Sequence, residues 1–461
     1  MATKQVKAKS SAELLSYIIN ETPILRDNID LPVQGQNIQE IGRIIIDNER
    51  YRNAFINTVN LIGVTMIKNN EWEDPWDFTD RGMLRYGQQV REIINDLVKA
   101  FDYNTKLADE SDFIKTEVPN VLQYIHSINF QKYYKTTTSD AQVSMAFDSE
   151  TSLYDFITNC ISMLYQSYIY DKYIINKYML CRRLLDGTVT SYQITDIENK
   201  STRQIVSEMK AVSNKMAFRS PNFNPAGLRR ATKFEDQIMI MSTDFDAKVT
   251  TEVLATSFFR NDAEMKTRLA LIDGFGDHDT ERLAEVLGDA YVPFTEPELT
   301  ALSAVSNVII SREWFMDYYY AIDNAQETKQ TSFYNPQTLK ENIFLHVWRI
   351  FSTSPFENAC AFQTNTIAVT SVTVNPSTAT VTPGQGIQLN AVVATTGFAN
   401  KAVTWSVDTT SESAGVKISN NGYLTVPASG ATGTITVTAK SVYDNTKTGT
   451  ATITIATVSA G

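Results

Sequence analysis

Apolar residues recur at helical spacing through 36–60, at Ile38, Ile41, Ile45, Tyr51, Phe55 and Val59, and predict a helix there. Residues 61–135 read differently. LIGVTMIKNN has the pattern of a strand, EWEDPWDFTDRGMLRYG that of a long exposed turn, QQVREIINDLVKAF that of a short helix, and VLQYIHSINFQKYYK that of a returning strand. Together they predict an extended two-stranded arm with a decorated tip. Such a ribbon is marginal alone and needs a neighbour to lie on.

The strongest element is 152–185. Its apolar side chains fall at Leu153, Phe156, Ile157, Cys160, Ile161, Leu164 and Tyr168, then at Ile174, Ile175, Tyr178 and Met179. Ser152 with Asp155 forms a capping-box start, and Gly187 stands where a C-terminal glycine stop belongs. About 33 residues make a rod roughly 50 Å long, more than a compact catalytic domain needs, so the segment reads as a spine. Residues 200–365 alternate: STRQIVSEMKAVSNKM and VTTEVLATSFFRN predict helices, while QIMIMSTDF, RLALIDGF and SNVIISREWF predict strands. ENIFLHVWRIFST, apolar on both alternating faces, predicts a central strand buried on two sides.

The pattern changes near Thr364–Thr370. From Val369 to Ile455 the chain becomes short Thr/Val/Ala/Ser strands punctuated by Asn375–Pro376, Pro383–Gly384, Asn421–Gly422 and the pair Gly430 and Gly433. About seven strand candidates, with Trp405 inside one of them as a buried-type residue, predict an immunoglobulin-like sandwich. The phrases VTVNPSTATVTPGQGIQLNAVV, KAVTWSV, GVKISNNGYLTV and GTITVTAKS, in that order, resemble the bacterial immunoglobulin-like group 2 domains. Such a module is usually displayed outside a cell.

Net charge narrows the partners. The chain carries −11. The tail has Lys401, Lys417, Lys440 and Lys447 against Asp408, Glu412 and Asp444, one positive charge net, which leaves −12 on the body. That excludes a broad phosphate-neutralising face; the charge either lets nucleic acid slide past or simply aids solubility. Cys160, Cys181 and Cys360 are an odd number at no useful spacing, which suits a reducing compartment. The opening MATKQVKAKSSAELLSYIIN lacks an unbroken apolar stretch and reads as a mobile arm rather than an export signal. No segment approaches the ~20 apolar residues of a membrane span, so the expectation is a soluble chain made in the cytosol.

Candidate chemistry is sparse. His278 lies between Asp277 and Asp279, but without a second His or Cys at ligand spacing the segment reads as a solvated loop, not a metal site. His126 reads as a half-buried or surface strand position, and His346 as a hydrogen-bonded member of a packed strand. Asp273–Gly276 (DGFG) matches the metal-binding triplet of protein kinases in form, with no Gly-rich loop beside it, and reads as a turn. Glu71, Glu73 and Asp74 beside Trp72 and Trp76 leave two readings, a glycosidase-like acid pair or a charged loop that docks on a neighbour. Tyr318, Tyr319 and Tyr320 offer stacking faces, or simply core. No catalytic residue, cofactor site or metal site is assigned.

An arm, a hairpin with a docking tip, a spine helix and a mixed lobe ending in a central strand resemble, in that order, the Hong Kong 97-type fold of tailed-phage capsids. The phrases IGVTMIK (62–68), DPWDFTDRGMLRYGQQVREI (74–93), EVPNV (117–121), ALIDGF (270–275), SREWFMDYY (311–319) and FLHVWRIFSTSPFENACAF (344–362) are similar to the major capsid proteins of small podoviruses related to the Bacillus phage phi-twenty-nine. The resemblance implies an α+β capsid fold with an N-terminal arm (1–35), a capsid domain (36–365) with an extended hairpin (61–135), a spine helix (152–185) and an A-domain-like lobe (195–340), then an all-β sandwich (366–461). It implies a virion protein assembled in the bacterial cytoplasm from pentamers and hexamers, with a scaffolding protein and a portal as partners. Packaged double-stranded DNA would lie nearby, the tail would brace the shell or bind a host-surface glycan, and no membrane would be involved. Trp72, Asp74, Trp76, Arg81, Arg85 and Arg91 are the expected assembly contacts, an internal core position being the other reading of both tryptophans. The competing class is a surface adhesin or cell-wall hydrolase carrying the same module, which needs an export signal and, for the hydrolase, paired acids or a zinc set.

Overall fold

A computed structural model describes residues 15–16, 18–20, 22–29, 38–55, 72–85, 88–95, 97–98, 121–139, 150–195, 200–252, 268–321, 327–338, 340–428 and 432–456. The chain falls into two compact units. The first comprises Met1–Gln88, Ile128–Ile175 and Asp317–Phe351; the second comprises Gln89–Ser127, Asn176–Met316 and Ser352–Gly461. The strand expected at 61–70 lies outside the described residues.

In the first unit, α1 (Ile38–Asp47) gives way at Asn48 to a second helical run through Phe55. The predicted single helix is therefore broken: the Asn48 side chain accepts the Arg50 N–H at 3.0 Å and restarts the helix as a cap. Leu15, Ile18, Ile19 and Leu25 are fully buried. Of the opening segment expected to be a mobile arm, residues 1–14 and 17 lie outside the described residues, and the described part leaves water at these apolar positions.

The sheet of this unit holds β1 (Asp80–Leu84), and further along the chain Phe130–Ser139, Asp317–Tyr320, Thr328–Asn335 and Lys340–Ile350. Lys340–Ile350 is central, antiparallel to three neighbours: Thr328–Asn335 on one side, and Phe130–Ser139 and Asp317–Tyr320 over different stretches. Ile343, Leu345, Val347 and Arg349 are buried, and Asn342, Phe344, His346 and Trp348 between them are half-buried. The strand is central as predicted, but only one of its faces is closed off.

Two expectations for 72–95 fail. EWEDPWDFTDRGMLRYG is no exposed turn: a 3-10 turn at Asp77–Thr79 leads into β1, which pairs in parallel with Asp317–Tyr320. The helix predicted over QQVREIINDLVKAF is β2 (Val90–Asn95), antiparallel to β3 (Val121–His126), with Val90 opposite His126 and Asn95 opposite Val121. The returning strand is two strands, β3 and β4 (Phe130–Ser139).

The spine, α2 (Glu150–Leu185), is one helix of 36 residues, about 54 Å long. It begins before Ser152, so Ser152 is inside the helix rather than at its cap. Gly187 ends it at φ +69°, with its N–H on the Leu184 carbonyl and the Thr188 N–H on the Arg183 carbonyl. From Asp171 to Tyr178 every residue is buried, so this stretch is covered on all sides.

In the second unit, β5 (Thr190–Gln193) is the edge of a five-stranded sheet. The order runs from β5 through Ala359–Gln363, Val305–Ser311 and Gln237–Ser242 to Leu269–Ile272. α3 (Thr202–Met216), capped by Ser201 and Gln204, packs Ile205, Val206, Met209 and Val212 against Met239, Met241 and Ile309. Of the second predicted helix, 249–261, only the first four residues are described; they end α4 (Thr243–Glu252), and the rest lies outside the described residues.

The tail has nine strands among the described residues, and in its last two the buried positions alternate: Ile435, Val437 and Ala439 on Thr434–Ser441, and Ala451, Ile453 and Ile455 on Thr448–Ile455. Its core cluster is built entirely from residues between Ile367 and Ile455. Trp405 is half-buried rather than buried, packed on that core beside Gly422, where a Cβ would stand 2.9 Å from its ring. Among the described residues, no helix is long and apolar enough to cross a membrane.

Candidate functional site: ribbon face, charge cluster and tail junction

Of the six expected contact residues, the structure brings Trp72, Asp74 and Trp76 together against the spine. Trp76 is fully buried, its ring edge-on to Tyr173 at 5.5 Å; Trp72, 37% exposed, meets the same Tyr173 at 5.9 Å and Tyr170 at 6.2 Å. The Asp74 carboxylate accepts the Trp76 N–H at 2.8 Å, a turn bond that sets the tryptophan's direction. It also pairs with Lys172 at 3.4 Å. Trp76 and Asp74 are therefore internal, which corrects their reading as tip contacts. The same geometry removes the acid-pair reading of Asp74, because that carboxylate is spent on the fold.

Lys172 reaches Asp77 and Asp80 as well, at 3.5 and 3.7 Å. Asp80 links this cation to a second one. Arg349, wholly buried, donates to Asp80 at 2.9 Å and to Asp317 at 2.8 Å, and also bonds Glu327 and the Tyr168 hydroxyl. Burial pulls the Arg349 guanidinium down, but Tyr168, Asp317, Glu327 and Asp80 hold it well above its usual range. Burial and Arg349 likewise oppose the charge on Lys172, and the surrounding carboxylates, Asp74 first, outweigh them. Burial raises the Asp74 carboxyl despite Lys172. A buried cation stripped of its partners costs about 3–5 kcal/mol, so the cluster ties β1, the spine and the central strand into one body.

The ribbon β2–β3 has two unlike faces. Inward, His126 is 1% exposed, 3.0 Å from Glu92 and 2.8 Å from the Ser352 hydroxyl, while Ser354 donates to Glu92 at 2.9 Å. His126 is thus buried and bonded, not at the surface. Outward stand Arg91 opposite Ile125, Ile93 opposite Gln123 and Asn95 opposite Val121. Ile93 is 64% exposed, Val121 52% and Ile125 47%. Sequence reasoning named Arg91 but missed Ile93 and Ile125. The available signal was the adjacent pair Ile93–Ile94, which in a strand puts an isoleucine on each face.

Arg85 and Arg91 are exposed; Arg81 is half-buried and engaged within the chain. His278 is half-buried, its Nε2 3.0 Å from the Phe275 carbonyl and its ring stacked on Phe294 at 4.4 Å. Burial and the nearby Lys177 lower its pKa to about 4. Among the described residues, no cluster of His, Cys, Asp or Glu suits a metal. Cys181 and Cys360 are buried free thiols, Cys181 raised by burial to about 12 and so unreactive. Tyr320 is core, while Tyr318 and Tyr319 are half-buried. His346 is half-buried and 2.9 Å from the Thr331 hydroxyl, as its strand predicted.

The tail is fixed to the second unit's sheet at a close approach. Asn400, 1% exposed, donates to Thr190 at 3.0 Å, and the Lys401 N–H meets the Gly187 carbonyl at 3.3 Å. A Cβ on Gly187 would stand 2.7 Å from the Ala399 carbonyl oxygen, so the glycine that stops the spine also admits the tail.

Comparison with known proteins gives two family matches. A profile described as Phi29-like phage major capsid protein matches residues 29–363, and one described as Bacterial Ig-like domain (group 2) matches residues 368–451. The major capsid protein of Bacillus phage GA-1 is 27% identical over 398 residues, covering 84% of this chain and 76% of the relative. That of Bacillus phage B103 is 28% identical over 406 residues, 86% and 82% of the two chains. That of Streptococcus phage Cp-1 is 24% identical over 345 residues, 71% and 88%. Among solved structures, the capsid of Staphylococcus phage Andhra aligns at 12% identity with a TM-score of 0.47, over 65% of this chain and 86% of that one.

Proposed function

This chain belongs to the Phi29-like phage major capsid protein family, and from that premise we propose that the outer face of the β2–β3 ribbon joins its copies into the shell. The protein is a major capsid protein of a tailed phage, a structural part of the virion, with an immunoglobulin-like group 2 domain behind it. What supports the ribbon as a contact is its asymmetry. One face is pinned inward by His126 and Glu92, and the other leaves Ile93, Val121 and Ile125 in solvent beside Arg91. A two-stranded ribbon with apolar side chains on both faces gains stability when something covers the open one. A second copy is the occupant that a self-assembling shell supplies in every position.

Trp72, Arg85 and Arg91 remain in this reading as exposed contacts, with Arg81 at its margin; Asp74 and Trp76 do not. Residues 1–35 as an arm, pentamers and hexamers built cooperatively from many modest contacts, assembly in the host cytoplasm, a scaffolding protein, a portal, DNA packed inside and a glycan met by the outward tail belong to the same reading. The test is electron microscopy of the chain co-expressed with its phage's scaffolding protein. Wild type yields shells; the double variant Ile93→Asp, Ile125→Asp yields soluble subunits with unchanged circular dichroism and no shells. Shells at the wild-type yield from the double variant sink the ribbon contact.

A further inference from the structure

The sheet of the first unit closes one face over the spine, where the Tyr134 ring lies 6.2 Å from that of Tyr168, and leaves its other face open. Three strands build the open face: β4, the central Lys340–Ile350 and Thr328–Asn335. The register puts Tyr133 opposite His346, Lys135 and Thr331 on either side of Phe344, and Phe333 opposite Asn342. The rings form one diagonal stripe. Tyr133 is 5.7 Å from Phe344 and 6.1 Å from His346, and Phe344 stacks on His346 at 6.2 Å. Tyr133 is 61% exposed and Phe333 62%, so the stripe begins and ends in water. Three lysines share the face. Lys135 sits over the Phe344 ring at 5.7 Å, Lys329 stands opposite His346, and Lys340 marks the far end; Lys135 and Lys340 are exposed. Burial first, and then the charge of Lys329, lower the His346 pKa. No carboxylate stands on the open face of these strands, since Glu341 takes the register of Tyr334 and Thr138, on the other side. In a chain of net charge −11, that separation of sign is local and sharp.

We propose that this open sheet face binds single-stranded nucleic acid, with bases stacking on Tyr133 and Phe333 and phosphates pairing with Lys135 and Lys340. The other occupants answer only half of the face. An uncharged apolar partner would strip water from the ammoniums and offer no counter-charge. A simple polyanion would use the lysines and leave the exposed rings in water. A base-bearing strand meets both needs, because every base has a flat face for a ring and every linkage a phosphate for a lysine. A duplex keeps its bases stacked inside and cannot offer them. So few lysines cannot grip a phosphate backbone by charge alone, so the rings carry much of the affinity, in keeping with a chain too acidic for a broad phosphate-neutralising face. The sugar is not read. The Thr331 hydroxyl is 2.9 Å from His346 and the Thr137 hydroxyl donates to Asn342 at 2.7 Å, so DNA and RNA strands serve alike. The assignment goes beyond shell assembly and is independent of the ribbon contact, because β2 and β3 belong to the second unit.

The experiment is fluorescence anisotropy on the full chain as unassembled subunits, with labelled oligo(dT), oligo(U) and a DNA duplex of the same length as probes. Both single strands bind with a dissociation constant on the order of 10 µM at low salt. The duplex binds about tenfold more weakly. Single-strand affinity falls with salt at a logarithmic slope of about −1.4, the value for two phosphates. Tyr133→Ala and Phe333→Ala each weaken binding about tenfold and move the thermal midpoint little, since both rings already stand in water. Lys135→Gln roughly halves the salt slope. A duplex bound as tightly as the single strands, or single-strand binding untouched by either ring substitution, overturns the assignment. So does failure of both strands to bind, including the case in which sedimentation finds a second copy on this face that Phe333→Asp releases.

Discussion

Tyr173 separates two tryptophans that look alike in the sequence. Its ring meets Trp76, which is wholly buried, and Trp72, which keeps more than a third of its surface in water. The two therefore answer differently to truncation. Trp76→Ala leaves a large cavity and an unfilled Tyr173 edge, at a cost of about 3–5 kcal/mol, and the urea-unfolding midpoint of the soluble chain drops sharply. Trp72→Ala moves that midpoint little and instead lowers shell yield. Equal effects of the two on unfolding contradict this division. His278 carries a pH dependence. Its pKa falls from 6.5 to about 4 on folding, so below pH 6.5 the unfolded chain gains a proton that the folded chain refuses until about pH 4. The neutral imidazole's contribution is complete above pH 6.5 and is lost as pH falls through that window. Differential scanning between pH 7 and pH 4 reads it: the thermal midpoint declines, and His278→Gln flattens the slope.

At the scale of elements, legibility followed how local the cause is. The spine was read from its periodic apolar positions and its glycine stop, because both signals lie within the helix itself. Gln237–Ser242, Leu269–Ile272, Val305–Ser311 and Lys340–Ile350 were legible for the same reason, each an apolar run bounded by turn residues. β2 was not. REIIND satisfies a helical spacing as well as a strand's, and what decides is Glu92 bonded to Ser354 and His126, residues far along the chain. β1 was read as turn because DFTDRG is polar and carries Gly82; it becomes a strand because Asp317–Tyr320 offers a parallel partner and Asp80 a buried ion pair. A segment with weak local preference takes the conformation its tertiary neighbours pay for.

At the scale of the molecule, the tail stands apart in its energetics. Among the described residues, its core cluster draws on none before Ile367, and its strands pair with one another. Residues 366–461 expressed alone are expected to fold, giving one cooperative thermal transition and well-dispersed amide resonances. A disordered fragment contradicts this and makes the docking bonds at Asn400 and Lys401 part of the module's stability. The body has the opposite character. Arg349 draws its partners from positions 80, 168, 317 and 327, so that unit closes only when four distant segments arrive together.

By itself the sequence determined the period of each strong element, the passage from mixed body to all-β tail, and a family resemblance carried by ordered phrases. These are properties of neighbours along the chain, and a strand or helix periodicity needs nothing else. Only the tertiary structure decided which of two tryptophans is core, which face of the ribbon stays open, and which face of the central sheet gathers exposed rings and lysines. Burial and charge pairing are set by residues tens or hundreds of positions away, and no local pattern encodes which of them will meet.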